Sequence, residues 1–402
     1  MKFSSVRAKL SLSLAFGAGS LSLVILVCLA GLAPRNFDLT EAQSPGGFNE
    51  EGEGPRGNWF YAQRAYPLKT IPRAARMRAL DQLELEEKRL RELHAAAPGE
   101  FPNLDAQLAW TPLGPAPIGE GQTFGVPRVA VSGRVSTIAL DPGYNGSSNQ
   151  TVYLGAAQGG VWRSRDNGAT WTPLTDDQPS LAMGAIAIDP TNPNIIYAGT
   201  GEAHLSGDSY YGAGLLKSTD GGATWAQITG PVSTRDPKLP AFLNATFHVL
   251  VIDPASPSTI YAVTEEGAMA SASGFTDAAP LGDQGIWKST DGGMTWRNLN
   301  PPNLSTLSRP GTDLVLDPRN TSRLFAAMYG LGVYRSSNGG EPGAWEKLAG
   351  GLPNSGFARI KLAVGPPRAP STDSTLYAAF ASDKDELLGV WNSTDNGSTW
   401  TK

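Results

Sequence analysis

Residues 164–171 read S-R-D-N-G-A-T-W. The same pattern returns as S-T-D-G-G-A-T-W at 218–225, S-T-D-G-G-M-T-W at 289–296 and S-T-D-N-G-S-T-W at 393–400. A longer copy, S-S-N-G-G-E-P-G-A-W, occupies 336–345 and carries Asn338 where the others carry Asp. Every position has a reason to sit in a tight hairpin turn. Asp166, Asp220, Asp291 and Asp395 can accept backbone N–H bonds across the turn. Gly168, Gly222, Gly293 and Gly397 supply positive φ. The hydroxyls, led by Ser164, Ser218, Ser289 and Ser393, can tie the loop to itself. Trp171, Trp225, Trp296 and Trp400 each bring a large ring to anchor the strand that follows. These aspartates read as structural, because one carboxylate per repeat does not converge on a catalytic or metal site.

A second element precedes each turn. I-A-L-D-P ends at Pro142, I-A-I-D-P at Pro190, V-I-D-P at Pro254 and L-V-L-D-P at Pro318, while L-A-V-G-P, ending at Pro366, has Gly365 in place of Asp. A short polar stretch and an aromatic-bearing strand follow each one, from T-V-Y-L-G at 151–155 to T-L-Y-A-A at 375–379. Apolar alternation, β-branched residues and turn punctuation make these segments strands. Four antiparallel strands in a unit of ~50 residues match a propeller blade. The expectation is therefore an all-β chain, a β-propeller of four-stranded antiparallel blades over residues 108–402. Five blades are visible, near 132–177, 183–230, 247–302, 312–352 and 358–402. The segment A-W-T-P-L-G-P at 109–115 repeats the Trp-led outer strand A-T-W-T-P-L-T at 169–175 before any first strand has occurred. It reads as the closing strand of a last blade, so the ring is expected to be incomplete, a fragment of six or more blades.

Composition agrees with short strands and tight turns. The 402 residues include 47 Gly and 31 Pro, roughly a fifth of the chain against a usual ~12%. A net charge of −5 supplies no basic face for nucleic acid. Three His and one Cys leave little for a disulfide framework, a zinc-thiolate site or a Cys nucleophile. No cofactor is expected. Carboxylate-rich loops could hold calcium, but no ligand spacing specifies a site.

Lys2, Arg7 and Lys9 precede an uncharged apolar run from Leu10 to Ala33. Residues 1–34 therefore read as a signal peptide or membrane anchor, the only membrane contact expected, and the remainder as secreted or held at the cell envelope. Residues 35–69 read as a linker. Residues 70–98 read as an amphipathic helix from Pro72 to about Ala97, with Met77, Leu80, Leu83, Leu90 and Leu93 on the face that packs beside the main domain.

The repeated turns resemble those of the Asp-box (BNR) β-propellers, a family that includes sialidases, xyloglucan-cleaving glycosidases and the sortilin ectodomain. The stretch from Trp110 through G-G-V-W-R-S at 159–164 also looks like large exported bacterial propeller proteins. The resemblance implies architecture; the family holds enzymes and pure binders alike.

In a four-stranded blade the first and third turns share one end, here uniform. The other end carries the variation, with spans that run Tyr153–Trp162, Tyr197–Leu216, Tyr261–Trp287, Phe325–Tyr334 and Tyr377–Trp391. Variable loops on a rigid scaffold are where recognition sits. Blade two offers Glu202, His204, Asp208, Tyr210 and Tyr211, and blade three offers Glu265 and Glu266 followed by Asp277 and Asp283. Blade five adds Asp383, Asp385 and Glu386. Carboxylates and rings around a depression suit a sugar binder or a glycosidase. Against the sialidase pattern, Arg134 looks like the first carboxylate-clamping arginine and Arg359 is a bare candidate for another. Against the xyloglucanase pattern, a Thr-Asp-(Val/Ile)-Gly-Gly segment should carry an acid, but G-A-A-Q-G-G at 155–160 puts Ala157 there. Glu202 and Asp208 are the remaining catalytic candidates.

The reading is an exported, noncatalytic module that binds a glycan or an extracellular protein through its variable-loop end. The alternatives are a glycoside hydrolase of sialidase or xyloglucanase type and a scaffold part of a larger surface protein.

Overall fold

The computed structural model describes residues 75–96, 133–204, 210–266, 282–300, 311–341, 343–384 and 386–402. The apolar run at 10–33, the linker and the segment at 109–115 lie outside them. Five antiparallel sheets follow one another along the chain, each with its strands in sequence order. Blade one comprises β1 (Val135–Leu140), β2 (Val152–Ala156), β3 (Gly160–Ser164) and β4 (Thr172–Pro173). Blade two comprises β5 (Met183–Ile188), β6 (Ile196–Thr200), β7 (Leu215–Ser218) and β8 (Ala226–Ile228). Blade three has β9 (Ala245–Ile252), β10 (Ile260–Glu266), β11 (Gly285–Ser289) and β12 (Arg297–Asn298). Blade four has β13 (Gly311–Asp317), β14 (Asn320–Met328), β15 (Gly332–Ser336) and β16 (Trp345–Lys347). Blade five has β17 (Ile360–Gly365), β18 (Thr375–Ala381) and β19 (Leu387–Ser393), with an outer edge reduced to the bridge Asn392–Thr401. The architecture is a β-propeller, and the repeat pattern is what builds it.

Each repeated turn closes by the same set of bonds. In blade two the Ser218 hydroxyl donates to Asp220 Oδ1 (2.8 Å) and accepts from the Gly222 N–H (2.8 Å). Asp220 in turn accepts the Thr224 N–H (2.9 Å) and the Thr224 hydroxyl (2.6 Å). The sets at Ser164–Thr170, Ser289–Thr295 and Ser393–Thr399 are equivalent. Asn338 keeps the serine half of it. Gly221 and Gly222 adopt φ of 72° and 89°, a left-handed pair that a side chain would strain. The Gly221 N–H also donates to the Asn194 carbonyl (2.9 Å), and Gly292 and Gly339 do the same to Ser258 and Ser322, so the first and third turns share one end of the blade. Asp141, Asp189, Asp253 and Asp317 cap the first turns by accepting backbone N–H bonds from the residue two further on.

Blades join through one apolar cluster per interface. Blade one meets blade two around Tyr153, Val161, Ile186 and Leu216; blade two meets blade three around Tyr197, Leu215, Phe247 and Trp287. Blades three and four share Tyr261, Ile286, Leu314 and Tyr334, and blades four and five share Phe325, Val333, Leu376 and Trp391. Gly199 leaves room for the Phe247 side chain of the next blade, whose Cβ and ring Cγ an added Cβ would meet at 2.4 and 2.6 Å.

Each interface also carries a polar clamp. The third strand of one blade ends in Lys or Arg before its serine, and that side chain reaches the turn carbonyl of the next blade. Arg163 donates to the Gly221 carbonyl (2.8 Å), Lys217 to Gly292 (2.7 Å), Lys288 to Gly339 (2.9 Å) and Arg335 to Asn396 (2.8 Å). The cross-strand partner on the second strand, a tyrosine in three blades, converges on the same carbonyl: Tyr153, Tyr197 and Tyr261 at 3.5, 2.9 and 3.3 Å. Blade four has Phe325 there, and Arg323 instead donates to Asn396 Oδ1 (2.6 Å).

The helix α1 spans Ala75–Ala96. Its anticipated apolar face is not sequestered: no residue of it is buried, Leu83 and Leu93 are exposed, and Met77, Leu80 and Leu90 are half-buried. Arg76 attaches it to blade one through the carbonyls of Asp176 (2.5 Å) and Gln178 (2.9 Å). Among the described residues no helix is long and apolar enough to cross a membrane.

Two outcomes follow from the turns and clamps. Lys288→Met, which keeps the aliphatic stem and removes the donor, costs about 2 kcal/mol in urea denaturation, whereas Met294→Ala on the exposed turn changes stability by less than about 0.5 kcal/mol. The second concerns acid. Bonds from Thr170, Thr224 and Thr295, then from Ser164, Ser218 and Ser289, hold Asp166, Asp220 and Asp291 at about 2 against an ordinary 3.8. Because the folded value is depressed, this stabilisation is complete above 3.8 and is lost as pH falls from there toward 2. Asp220→Asn together with Asp291→Asn flattens that acid limb in denaturation curves and leaves the neutral-pH shape of the profile intact.

Candidate functional site

At the end of the blades opposite the aspartate turns, four blades bring charged side chains together. Arg134 immediately precedes β1, and its Nη2 donates to Glu202 Oε2 at 2.5 Å. Glu202 follows β6, and its side chain is fully buried whereas that of Arg134 is 45% exposed. The loop that holds Glu202 closes on itself, since the Glu202 N–H donates to the Tyr210 carbonyl (2.8 Å). His204 Nδ1 stands 3.1 Å from Glu202 Oε1, within ion-pair reach when the imidazole is protonated but outside hydrogen-bond geometry. The His204 carbonyl accepts a bond from Arg359 Nη2 (2.5 Å), a residue just ahead of β17 in blade five. Arg134, Glu202, His204 and Arg359 therefore form one chain of contacts from blade one through blade two to blade five.

Blade three contributes a second carboxylate. Glu265 on β10 meets His248 Nε2 on β9 at 2.6 Å, and both side chains are buried. Burial holds His248 below its ordinary value; the hydrogen bond and charge of Glu265 oppose that, and Lys361 and Arg359 add to it. Lys361 on β17 donates to the Thr312 carbonyl (3.1 Å) and lies 3.7 Å from Asp313.

Of the four buried side-chain polar atoms without a hydrogen-bond partner among the described residues, His94 Nδ1 and Gln284 Oε1 lie outside this network, and Glu202 Oε1 and Arg359 Nε belong to it. One is an acceptor and the other a donor, and unmet buried polar atoms are costly unless a ligand or water satisfies them. Tyr210 and Tyr211 stack beside each other with centroids 4.7 Å apart.

The remaining candidates are placed as follows. Glu266 stands at the end of β10, paired in register with Ala245. Asp208, Asp277 and Asp385 lie outside the described residues. Asp283 is tied up by Ser233 and by the Thr234 N–H and hydroxyl (both 2.8 Å). Asp383 and Glu386 are exposed. Ala157, at the position where the xyloglucanase pattern carries an acid, is buried, and its N–H donates to the Arg134 carbonyl (2.9 Å). The four turn aspartates are each spent on their own turn at the other end. Among the described residues no three His, Cys, Asp or Glu side chains gather as ligands for a cation. His248 was the partner that sequence reasoning passed over. The sequence carries no mark of that role, since the residue falls at the irregularity of β9.

No protein-family model matches the chain. A xyloglucanase from Paenibacillus sp is 26% identical over 263 residues, which is 64% of this chain and 20% of the relative. A xyloglucanase from Acetivibrio thermocellus is 26% identical over 264 residues, 64% of this chain and 24% of the relative. Among solved structures, an ancestral GH74 enzyme superposes with a TM-score of 0.52 at 22% identity, covering 73% of this chain and 32% of that one. The last is a likeness of fold. The chain spans about a fifth to a quarter of the length of the curated relatives it matches.

The chain of contacts has a stability consequence. Arg134→Ala leaves the buried Glu202 carboxylate without its donor and costs about 1–3 kcal/mol in urea. Adding Glu202→Gln to that variant restores at least half the loss, because no charge then remains to be satisfied.

Proposed function

We propose that the protein binds a neutral, branched β-glucan of the xyloglucan type at the variable-loop end and does not cleave it. The observation that carries the reading is the two arginines at that end: Arg134, exposed, and Arg359, half-buried, are each fixed through Nη2, to Glu202 Oε2 and to the His204 carbonyl (both 2.5 Å), and a guanidinium has further N–H donors that sugar hydroxyls can accept from. Tyr210 and Tyr211, stacked on each other and half-buried, add aromatic surface beside Glu202 of the kind that accompanies sugar recognition. The similarity to xyloglucanases supports a glucan as the ligand class.

Binding without cleavage is supported by the side chains that glycoside hydrolysis requires. That chemistry needs two carboxyl groups flanking the bond, one giving a proton and the other attacking or activating water. Ala157 stands where the resemblance calls for one of them. Glu202 is ion-paired to Arg134 and Glu265 is hydrogen-bonded to His248, and both carboxylates are buried. The second reading, a glycoside hydrolase, is favoured by one observation: two buried carboxylates, Glu202 and Glu265, on adjacent blades at the same end.

Calorimetric titration with xyloglucan oligosaccharides separates the two. Binding is expected with no release of reducing ends on prolonged incubation, and Arg359→Ala lowers affinity roughly tenfold, about 1.4 kcal/mol. Turnover that Glu202→Gln abolishes would establish the hydrolase reading instead, and the absence of both binding and turnover would remove the glucan as ligand.

A further inference from the structure

Asn-Gly occurs four times in the chain, at Asn145, Asn167, Asn338 and Asn396. An asparagine followed by glycine can close a five-membered succinimide, because the glycine nitrogen reaches the side-chain Cγ with no Cβ of its own in the way. The attack needs a nitrogen whose proton is free to leave. In three of the pairs that N–H is already committed. The Gly168 N–H donates to Ser164 Oγ (2.7 Å), the Gly397 N–H to Ser393 Oγ (2.9 Å) and the Gly339 N–H to the Ser322 carbonyl (2.7 Å). Gly146, in the first turn of blade one, differs. Its N–H has no hydrogen-bond partner among the described residues, while its carbonyl accepts from Gln150 Nε2 (3.1 Å). Exposure does not make the distinction, since Asn167 and Gly168 are exposed just as Asn145 and Gly146 are.

The carbon under attack is prepared as well. Asn145 Oδ1 accepts the Ser147 N–H (2.9 Å), the Ser147 hydroxyl (3.0 Å) and the Asn149 N–H (3.1 Å). The bond from the residue two further on folds the amide back over the Asn145–Gly146 peptide. Three donors on one oxygen stabilise the negative charge that gathers there as a nitrogen adds to Cγ. Ser148 Oγ lies 2.8 Å from Asn145 Nδ2, placed to hand the departing nitrogen a proton.

From this we infer that Asn145 is a site of self-modification, converted by its own loop to aspartate and isoaspartate. The Gly146 nitrogen bonds to Asn145 Cγ and gives up its proton to water; the Cγ–Nδ2 bond breaks, and ammonia leaves with a proton passed on through Ser148. A second water then opens the succinimide at one carbonyl or the other. Opening at the backbone carbonyl leaves isoaspartate, which lengthens the chain by a methylene and withdraws the oxygen that gathers the Ser147 and Asn149 N–H groups. Either product places a new carboxylate in the first turn of blade one, at the end away from Glu202 and Arg359.

The test is peptide mapping by mass spectrometry of the folded protein held at neutral pH, with the same protein in urea as the reference. The four asparagines fall in four different tryptic peptides. Asn145 is expected to convert at least as fast in the folded protein as in urea, while Asn167, Asn338 and Asn396 slow roughly tenfold or more on folding. Ser148→Ala, in the same exposed loop, is expected to lower the Asn145 rate by a factor of roughly three and to leave the other three unchanged. Slowing of Asn145 on folding to the level of Asn167 would overturn the inference, as would faster conversion at any of the other three pairs. An Asn145 rate indifferent to Ser148→Ala would overturn the proton transfer assigned to that hydroxyl.

Discussion

A backbone carbonyl held open by a left-handed turn is the constraint on which this molecule turns. A carbonyl at a tight turn points away from its own sheet and, left unpaired at a buried interface, would cost the desolvation of a strong acceptor. Here the neighbouring blade supplies the donor. The Lys or Arg that ends each third strand crosses the interface to it, and in three blades the paired tyrosine joins in. Lysine also stacks its ammonium against that tyrosine, 5.3 Å from the Tyr197 centroid and 5.4 Å from that of Tyr261. The apolar clusters supply most of the cohesion between blades, since burial of rings such as Trp287 and Phe247 outweighs any single hydrogen bond. They are not strongly directional. The clamp is, and it fixes how far each blade slides on the next.

That registration matters at the other end, where the charged side chains meet. Arg134, Glu202, Glu265 and Arg359 lie at the ends of first and second strands in four different blades, and His248 lies within β9 beside Glu265. A buried carboxylate is tolerable only with a cation or donor within bonding distance. Arg134 can serve Glu202 at 2.5 Å only if blades one and two are held in register. The same argument applies to Arg359 of blade five, which reaches the His204 carbonyl of blade two. The aspartate turns and clamps at one end thus set the tolerance for polar contacts at the other.

Much of this was legible in the sequence. The S-x-D-x-G-x-T-W copies and the Asp-Pro turns gave the strands, their order and the number of blades, because each is a local pattern with its own hydrogen bonds. Arg134, Glu202 and His204 were legible as candidates because they fall in the irregular loops. Their partnership was not, since Arg134 and Glu202 are far apart in the chain and only the packing of two sheets brings them together. His248 carries no mark of its role in the sequence: it falls at the irregularity of β9 between Phe247 and Val249, without a register partner, and its side chain meets that of Glu265, which pairs with Thr246. The clamp residues stand in four of the five repeats, as R-S, K-S, K-S and R-S before the turn, with Asn392 in the fifth, yet their target is a carbonyl, which no side-chain pattern reveals. The helix misled for the opposite reason: its leucines follow helical spacing, but none of its residues is buried and Leu83 and Leu93 are exposed.

The most direct measurement is native-state hydrogen exchange of the Lys288→Met variant, read strand by strand. If the clamp couples blades, protection falls in β11, β13 and β14 on either side of the blade three–blade four interface, and holds in β2, β3 and β5 between blades one and two. Unchanged protection at both interfaces, or an equal fall at both, would contradict the claim that each carbonyl clamp locks its own pair of blades.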